Sequence, residues 1–128
     1  MSYTYPKVDD LENEPVVGTR QCVALVQKYA GAPVTSAWKQ GESVLGNRTL
    51  KKGTAIATFV NGRYPNHSHG NHAALFIRQV GDSIWIMDQW KGENKTRISL
   101  RLIPSRGKTK QGKFIRPSEN AEAYSVIE

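Results

Sequence analysis

Three residues whose side chains cooperate in thiol-based hydrolysis lie far apart along the chain: Cys22, His72 and Asp88. A cysteine attacks a carbonyl carbon as its thiolate, so it needs a nearby base to take the thiol proton. An imidazole can accept that proton and later return it to a leaving amine, while a carboxylate fixes the tautomer of the imidazole. The three side chains would therefore hydrolyse an amide bond if the fold brings them together.

Cys22 falls in the first turn of a predicted helix. Apolar residues recur along residues 18–31 at the spacing of one helix face: Cys22, Leu25, Val26 and Tyr29. Thr19 is the predicted N-cap, and Gly31 is the predicted C-terminal stop. The free amides and the dipole at a helix start stabilise a thiolate, and the Cys22 amide can donate to an oxyanion. Gln21 is the candidate for a second donor in contact with the substrate.

The rest of the chain is predicted to form an antiparallel sheet. Short apolar segments between turn residues predict strands at residues 54–60, 73–80, 83–89, 97–103 and 123–127, and residues 36–44 carry a weaker helical pattern. Gly81 and Asp82 predict a tight hairpin turn. In that hairpin His72 and Asp88 become cross-strand or diagonal neighbours near the open end. A helix carrying the cysteine, followed by a sheet carrying the histidine, is an α+β layout.

Two residues that follow Asp88 are also candidates for the site. Gln89 could orient His72 in place of Asp88, but regular strand alternation directs its side chain to the opposite face. Trp90 comes next, and its aromatic ring is suited to one wall of a substrate groove.

Length and composition limit the class of protein. A chain of 128 residues and 14.3 kDa is the size of one domain, and with a single cysteine it forms no internal disulfide. No segment has the roughly 18 apolar residues of a membrane span, and the acidic, polar first residues do not have the pattern of a secretory signal. We therefore expect one monomeric domain that is made without a signal peptide and does not insert into a membrane.

The net charge of +7 is concentrated towards the C-terminus. Residues 1–14 carry a net charge of −3, whereas residues 91–116 carry +8. Such a segment attracts nucleic acid, an anionic membrane surface or an acidic polymer such as a bacterial cell wall. Residues 106–113 contain no aromatic side chain on which a base could stack. A non-enzymatic module that binds nucleic acid or another anionic polymer through residues 95–116 is the alternative function.

The chain's three histidines are clustered at His67, His69 and His72. This spacing resembles the metal-binding loop of metallo-β-lactamase-type hydrolases, with Asn71 where those proteins have Asp. Zinc bound by these histidines with Asp88 or Cys22 is a third hypothesis, because imidazole, thiolate and carboxylate are all zinc ligands. Three ligands within six residues strain a tetrahedral site, so we expect no metal and place His67 and His69 in an exposed loop.

Four segments, in order, resemble the CHAP and NlpC-type papain-like amidases and endopeptidases that cut bacterial peptidoglycan. GTRQCVALV at residues 18–26 is similar to their cysteine-bearing helix start, and KGTAIA at 52–57 to their Gly-Asp-Ile strand, with Thr54 in place of Asp. GNHAALFI at 70–77 is similar to their histidine strand, with Asn71 inserted, and IMDQW at 86–90 to the end of the next strand.

This resemblance implies a papain-like α+β fold over residues 1–128 and a peptidoglycan hydrolase that uses Cys22, His72 and Asp88 without a cofactor. The small size is also similar to that of amidase effectors injected between bacteria by type VI secretion. That similarity implies an antibacterial toxin that acts in the periplasm of the target cell. It also implies a cognate immunity protein as partner, and no nucleic-acid partner.

Overall fold

A helix packed on a six-stranded antiparallel sheet forms the framework of the protein within residues 2–65, 67 and 70–128, which this computed structural model describes. The helix α1 spans Cys22–Ala30, and the sheet order is β1-β6-β2-β3-β4-β5. The strands are β1 (Gln40–Ser43), β2 (Ala55–Thr58), β3 (Ala73–Val80), β4 (Ser83–Asp88), β5 (Ser99–Ile103) and β6 (Tyr124–Ile127). Short 3-10 turns lie at Val8–Leu11, Thr35–Ala37, Pro117–Glu119 and Ala121–Ala123. The predicted α+β layout is confirmed.

The helix ends as predicted, but its N-cap lies two residues after the predicted one. Gly31 adopts a left-handed φ of 76° and donates its N–H to the carbonyl of Val26, which terminates α1. The N-cap is Gln21 and not Thr19, and no side chain caps the helix start. Arg20 has a positive φ of 74°, so the chain turns sharply after Thr19 and the helix cannot begin there.

The hairpin of β3 and β4 follows the predicted register. Val80 pairs with Ser83 across a turn in which Gly81 has a left-handed φ of 58°. The register shifts by one residue between Phe76 and Arg78. Such a bulge inserts an extra residue into one strand, and beyond it Leu75 pairs with Met87.

The predicted helical pattern over residues 36–44 is wrong, because most of this segment is the 3-10 turn and the edge strand β1. Among the described residues β1 pairs only with β6, from the other end of the chain, so a local pattern carries little information about it. Gly41 is where the backbones approach closely, since a Cβ there would lie 2.9 Å from the carbonyl oxygen of Val126. The five strands that were predicted, β2 to β6, are confirmed, and most of them are slightly shorter than predicted.

Two apolar clusters lie within the fold. Leu25 and Val26 of α1 are fully buried in the cluster that also holds Ala73, Leu75 and Met87, and each such burial contributes about 1.5–3 kcal/mol. The second cluster contains Ile56, Phe76, Ile84, Ile86 and Tyr124. Packing of α1 on β3 brings the helix start to the end of β3 that carries His72. Among the described residues no helix is long and apolar enough to cross a membrane.

Candidate active site

His72 and Asp88 form a buried hydrogen-bonded pair. The Nε2–H of His72 donates to Oδ2 of Asp88 over 2.7 Å, and their exposed fractions are 6% and 0%. His72 comes directly before β3, and its backbone N–H and carbonyl each bond to Thr58 at 3.0 Å, so β2 fixes its position. The imidazole therefore has one tautomer in its neutral form, with Nδ1 unprotonated and available to a thiol.

Cys22, the first residue of α1, interacts with that imidazole. Burial raises the pKa of Cys22, but a hydrogen bond to His72 and the charge of His72 outweigh it. Contacts with Tyr64 and the Ala73 amide act in the same direction, so the pKa of the thiol is lowered. Burial likewise lowers the pKa of His72, but hydrogen bonds to Asp88 and Cys22 and their charges raise it to about 9. The two side chains are thus suited to form a thiolate–imidazolium pair near neutral pH.

Arg101 holds the other side of the Asp88 carboxylate. Its Nη2 donates to Oδ2 over 2.5 Å, and its Nε lies 3.0 and 3.1 Å from the two oxygens. Burial raises the pKa of Asp88, but hydrogen bonds and charges from His72 and Arg101 lower it below its ordinary value. Asp88 is therefore an ionised acceptor between two cationic groups. No local sequence pattern pointed to Arg101, because the register of β5 on β4 depends on an irregular connection that the sequence leaves open.

Tyr64 and Asn71 border Cys22 on the groove side, and neither was predicted from the sequence as a site residue. The Tyr64 hydroxyl lies 3.6 Å from Sγ of Cys22, and Nδ2 of Asn71 donates to that hydroxyl over 3.1 Å. Burial and the nearby Cys22 charge raise the pKa of Tyr64 well above its ordinary value, so its O–H stays protonated and can donate. The Oδ1 atom of Asn71 is buried and has no hydrogen-bond partner within the described part of the chain.

Gln89 does not contact His72. Its fully buried side chain bonds instead to the backbone of Val17 and Gln21, in the loop that leads into Cys22. The alternative in which Gln89 orients the imidazole is therefore wrong, because the side chain of Gln89 is engaged in that loop.

The candidate substrate groove has a volume of about 350 Å³ and gives access to Cys22. Gln21 and Trp90, the two predicted substrate-contacting residues, both line it. Trp90 is 38% exposed, and its ring carries Lys95 Nζ at 4.0 Å and Arg101 Cζ at 4.7 Å from the centroid. The groove is completed by Val23, Thr35, Tyr64, His67, Asn71, His72 and Lys91.

The histidine cluster gives no support to the zinc hypothesis. His67 is exposed at the groove, and His69 lies outside the described residues. In the described part of the chain no three His, Cys, Asp or Glu side chains come together as a metal site. His72 uses Nε2 for Asp88, and its remaining nitrogen faces the cysteine chemistry described above.

Three exposed lysines of the basic C-terminal segment lie outside the groove. Lys108, Lys110 and Lys113 are exposed on a turn closed by a bridge between Lys108 and Phe114. None of the residues that line the groove around Cys22 comes from residues 95–116. These three lysines can thus change the field around the domain without lining the groove, whereas Arg101 of the same segment binds Asp88.

Comparisons with known proteins agree with this architecture. The family described as "Domesticated amidase effector 2" matches residues 4–127. A "Type VI secretion amidase effector 2 protein" of Salmonella typhi is 47% identical and covers 100% of both chains. A "Domesticated amidase effector 2" of Ixodes scapularis is 32% identical, over 88% of this chain and 73% of its own. The solved "Type 6 secretion amidase effector 2" superposes with a TM-score of 0.91 at 46% identity, covering 98% of this chain and 94% of its own.

Proposed function

This chain belongs to the domesticated amidase effector 2 family, and we propose that this amidase cleaves amide bonds of bacterial peptidoglycan through an acyl-thioester on Cys22. The observation that carries the proposal is the hydrogen bond of 2.7 Å between His72 and Asp88, beside a thiol of lowered pKa. Residues 1–128 would form one catalytic domain of papain-like type.

The first half of the reaction forms the thioester. The thiolate of Cys22 attacks the carbonyl carbon of the amide, and the carbonyl electrons move to the oxygen. The Cys22 backbone N–H, at the helix start, and the Tyr64 O–H are the donors available to that oxyanion. The imidazolium of His72 then protonates the amine nitrogen, and the C–N bond breaks.

The second half releases the enzyme. His72, now neutral, takes a proton from water, and the resulting hydroxide attacks the thioester carbon. The C–S bond breaks, the carboxylic acid product leaves and gives its proton to solvent, and the thiolate–imidazolium pair is restored. Asp88 keeps Nε2 protonated and the ring oriented throughout, and Arg101 keeps Asp88 ionised.

The charge of the chain and the names of its relatives support a role as an antibacterial effector. A net charge of +7 with exposed lysines favours an anionic cell-wall polymer over a neutral substrate. Relatives described as type VI secretion amidase effectors support delivery into another cell, where the wall is reached from the periplasm. Under this proposal the protein acts as a monomer, and the cell that makes it needs an immunity protein that covers the groove.

Incubation of purified peptidoglycan with the protein tests the proposal. We expect soluble fragments in which one amide bond has gained the elements of water, as read by mass spectrometry. Cys22→Ala should release none, and the wild-type rate should be unchanged in EDTA because the mechanism uses no metal. Peptidoglycan that stays intact with the folded wild-type protein would overturn the proposal, and loss of the rate in EDTA with recovery on added zinc would restore the zinc hypothesis.

A further inference from the structure

Gln89 makes an unusually complete set of contacts for a side chain outside the triad. It is fully buried, and its Oε1 accepts the Val17 N–H at 2.9 Å. Its Nε2 donates to the carbonyl oxygens of Val17 at 3.0 Å and of Gln21 at 2.8 Å. One amide thus holds both ends of the loop that leads into Cys22, and its side chain is inaccessible to bulk solvent, so losing it leaves buried backbone groups unpaired.

The loop that Gln89 holds has a strained backbone. Arg20 adopts a left-handed φ of 74°, which residues other than glycine rarely adopt. Gly18 is also left-handed, and a Cβ there would approach that of Ala24 to 3.0 Å. Backbone strain persists only where the surroundings enforce it. The three hydrogen bonds of Gln89 are a specific restraint on this conformation.

The same bonds orient the peptide between Gln21 and Cys22. The Gln21 carbonyl accepts from Gln89 and, at 3.1 Å, from the N–H of Ala24. Because this peptide bond is trans, the N–H of Cys22 points in the opposite direction. Cys22 is the first residue of α1, so its N–H has no partner within the helix. The N–H is therefore directed away from Gln89, on a stretch of chain that lines the groove.

We propose that Gln89 is a positioning residue that aims the Cys22 backbone N–H at the oxyanion of the reaction. The inference rests on the proposed amidase mechanism, and it adds a role for the residue next to Asp88. The end of β4 then positions both partners of the reaction: Asp88 orients the imidazole on one face, and Gln89 holds the nucleophile loop on the other.

The test compares two reactions of the same thiol in Gln89→Met. Hydrolysis of a soluble muropeptide forms an oxyanion, whereas alkylation by iodoacetamide displaces iodide and forms none. We expect kcat to fall about 10- to 100-fold with KM within about threefold, because one oxyanion donor is misplaced. The alkylation rate at pH 6 should stay within about twofold, because His72 still sustains the thiolate. Gln79→Met, an exposed glutamine on the neighbouring strand, is the matched control and should change neither rate.

Several results would overturn the inference. An unchanged kcat in Gln89→Met would mean that the tether does not position the donor. A parallel loss of kcat and alkylation would assign Gln89 to the integrity of the whole site. If Gln89→Met does not fold, the double variant with Arg20→Gly relieves the left-handed strain, and the same two rates are measured on it. If neither variant folds, Gln89 is a stability residue and the inference is wrong.

A failure of the proposed function is separable from a failure of this inference. Wild-type protein that cleaves no muropeptide refutes the substrate, and the donor is then tested with acetyl-alaninal. This aldehyde adds reversibly to a thiol, and the proton moves to the new hemithioacetal oxygen, which occupies the place of the oxyanion. We expect Gln89→Met to weaken its binding about tenfold or more relative to Gln79→Met. Equal binding by the two variants would overturn the inference.

Discussion

Replacing Arg101 with methionine removes a guanidinium from Asp88 while keeping most of the aliphatic stem. A charge-assisted hydrogen bond contributes about 1.5–3 kcal/mol, and breaking a fully buried pair costs about 3–5 kcal/mol. The Arg101 side chain is 28% exposed, so water replaces part of the lost contact. We therefore expect Arg101→Met to lower the free energy of unfolding by about 2 kcal/mol near neutral pH.

That loss has a thermal and a pH signature. For a chain of 128 residues, 2 kcal/mol corresponds to a fall in melting temperature of about 7 °C. Loss of the guanidinium also raises the pKa of Asp88 above its wild-type value, because one of the two cationic groups that lower it is gone. Because Asp88 has a lowered pKa in the folded protein, its stabilisation is present above the ordinary carboxyl pKa and is lost as pH falls through the folded value. The difference in free energy of unfolding between wild type and variant should therefore be at its maximum at pH 7 and should decrease as the pH falls through the folded-state pKa of Asp88.

Thiol reactivity gives a second readout of the same change. Without Arg101, Asp88 either carries an uncompensated negative charge, which disfavours the Cys22 thiolate, or becomes protonated and stabilises the imidazolium of His72 less. Both cases move the acidic limb of the alkylation profile to higher pH. Arg101→Lys keeps the charge but loses the bidentate contact, so it should retain most of the wild-type position of that limb.

Thermal unfolding from pH 7 to pH 3, with iodoacetamide alkylation over the same range, measures both effects. Arg78→Met is the matched control, since Arg78 is exposed on β3 and should change stability by no more than about 0.5 kcal/mol. Arg101→Met that melts with this control at pH 7 would refute the placement of Arg101 on an ionised Asp88.

Three further expectations follow from the site and the charge distribution. Cys22→Ala should keep its melting temperature within a few degrees and lose all hydrolysis. One equivalent of iodoacetamide should inactivate the wild type, and a thiol that is alkylated as slowly as a buried core cysteine would contradict the mechanism. The rate of hydrolysis should fall above about pH 9, because His72 there loses the proton that the leaving amine needs. At pH 10 hydrolysis should be about tenfold slower, while the rate of alkylation by iodoacetamide persists. A fall of both rates together would mean that His72 is not the acid. Changing the exposed Lys108, Lys110 and Lys113 to Glu should weaken binding to intact wall, more so at low salt, and should leave turnover of a soluble muropeptide unchanged. Loss of that turnover in a folded variant would place these lysines in the site.

Local signals predicted the parts of the fold that depend on neighbouring residues. Gly31 ends α1 and Gly81 turns the β3–β4 hairpin because each adopts a backbone conformation that favours glycine. The hairpin register then brings Asp88 to the end where His72 lies, and the packing of α1 on β3 brings Cys22 there. The sequence could thus anticipate that these residues meet, while their catalytic roles stay predictions for the experiments above.

Contacts between distant segments were out of reach of the same reasoning. Arg101 meets Asp88 only because β5 pairs with β4 in one register after an irregular connection. Tyr64 reaches Cys22 from the connection between β2 and β3, which has no periodic pattern. β1 was missed since its partner β6 is at the other end of the chain. In each case the information lies in tertiary pairing, which local propensity does not encode.

The end of β4 positions three parts of the proposed active site within this small fold. Successive side chains of a strand point to opposite faces, so three consecutive residues reach three different neighbours. Asp88 holds His72, Gln89 holds the loop before Cys22, and Trp90 lines the groove. Arg101 connects Asp88 to Trp90, since its guanidinium binds the Asp88 carboxylate and lies over the Trp90 ring. A displacement of this strand end would therefore move the proposed base, the proposed nucleophile and the groove wall together, which preserves their relative geometry better than three independent loops would.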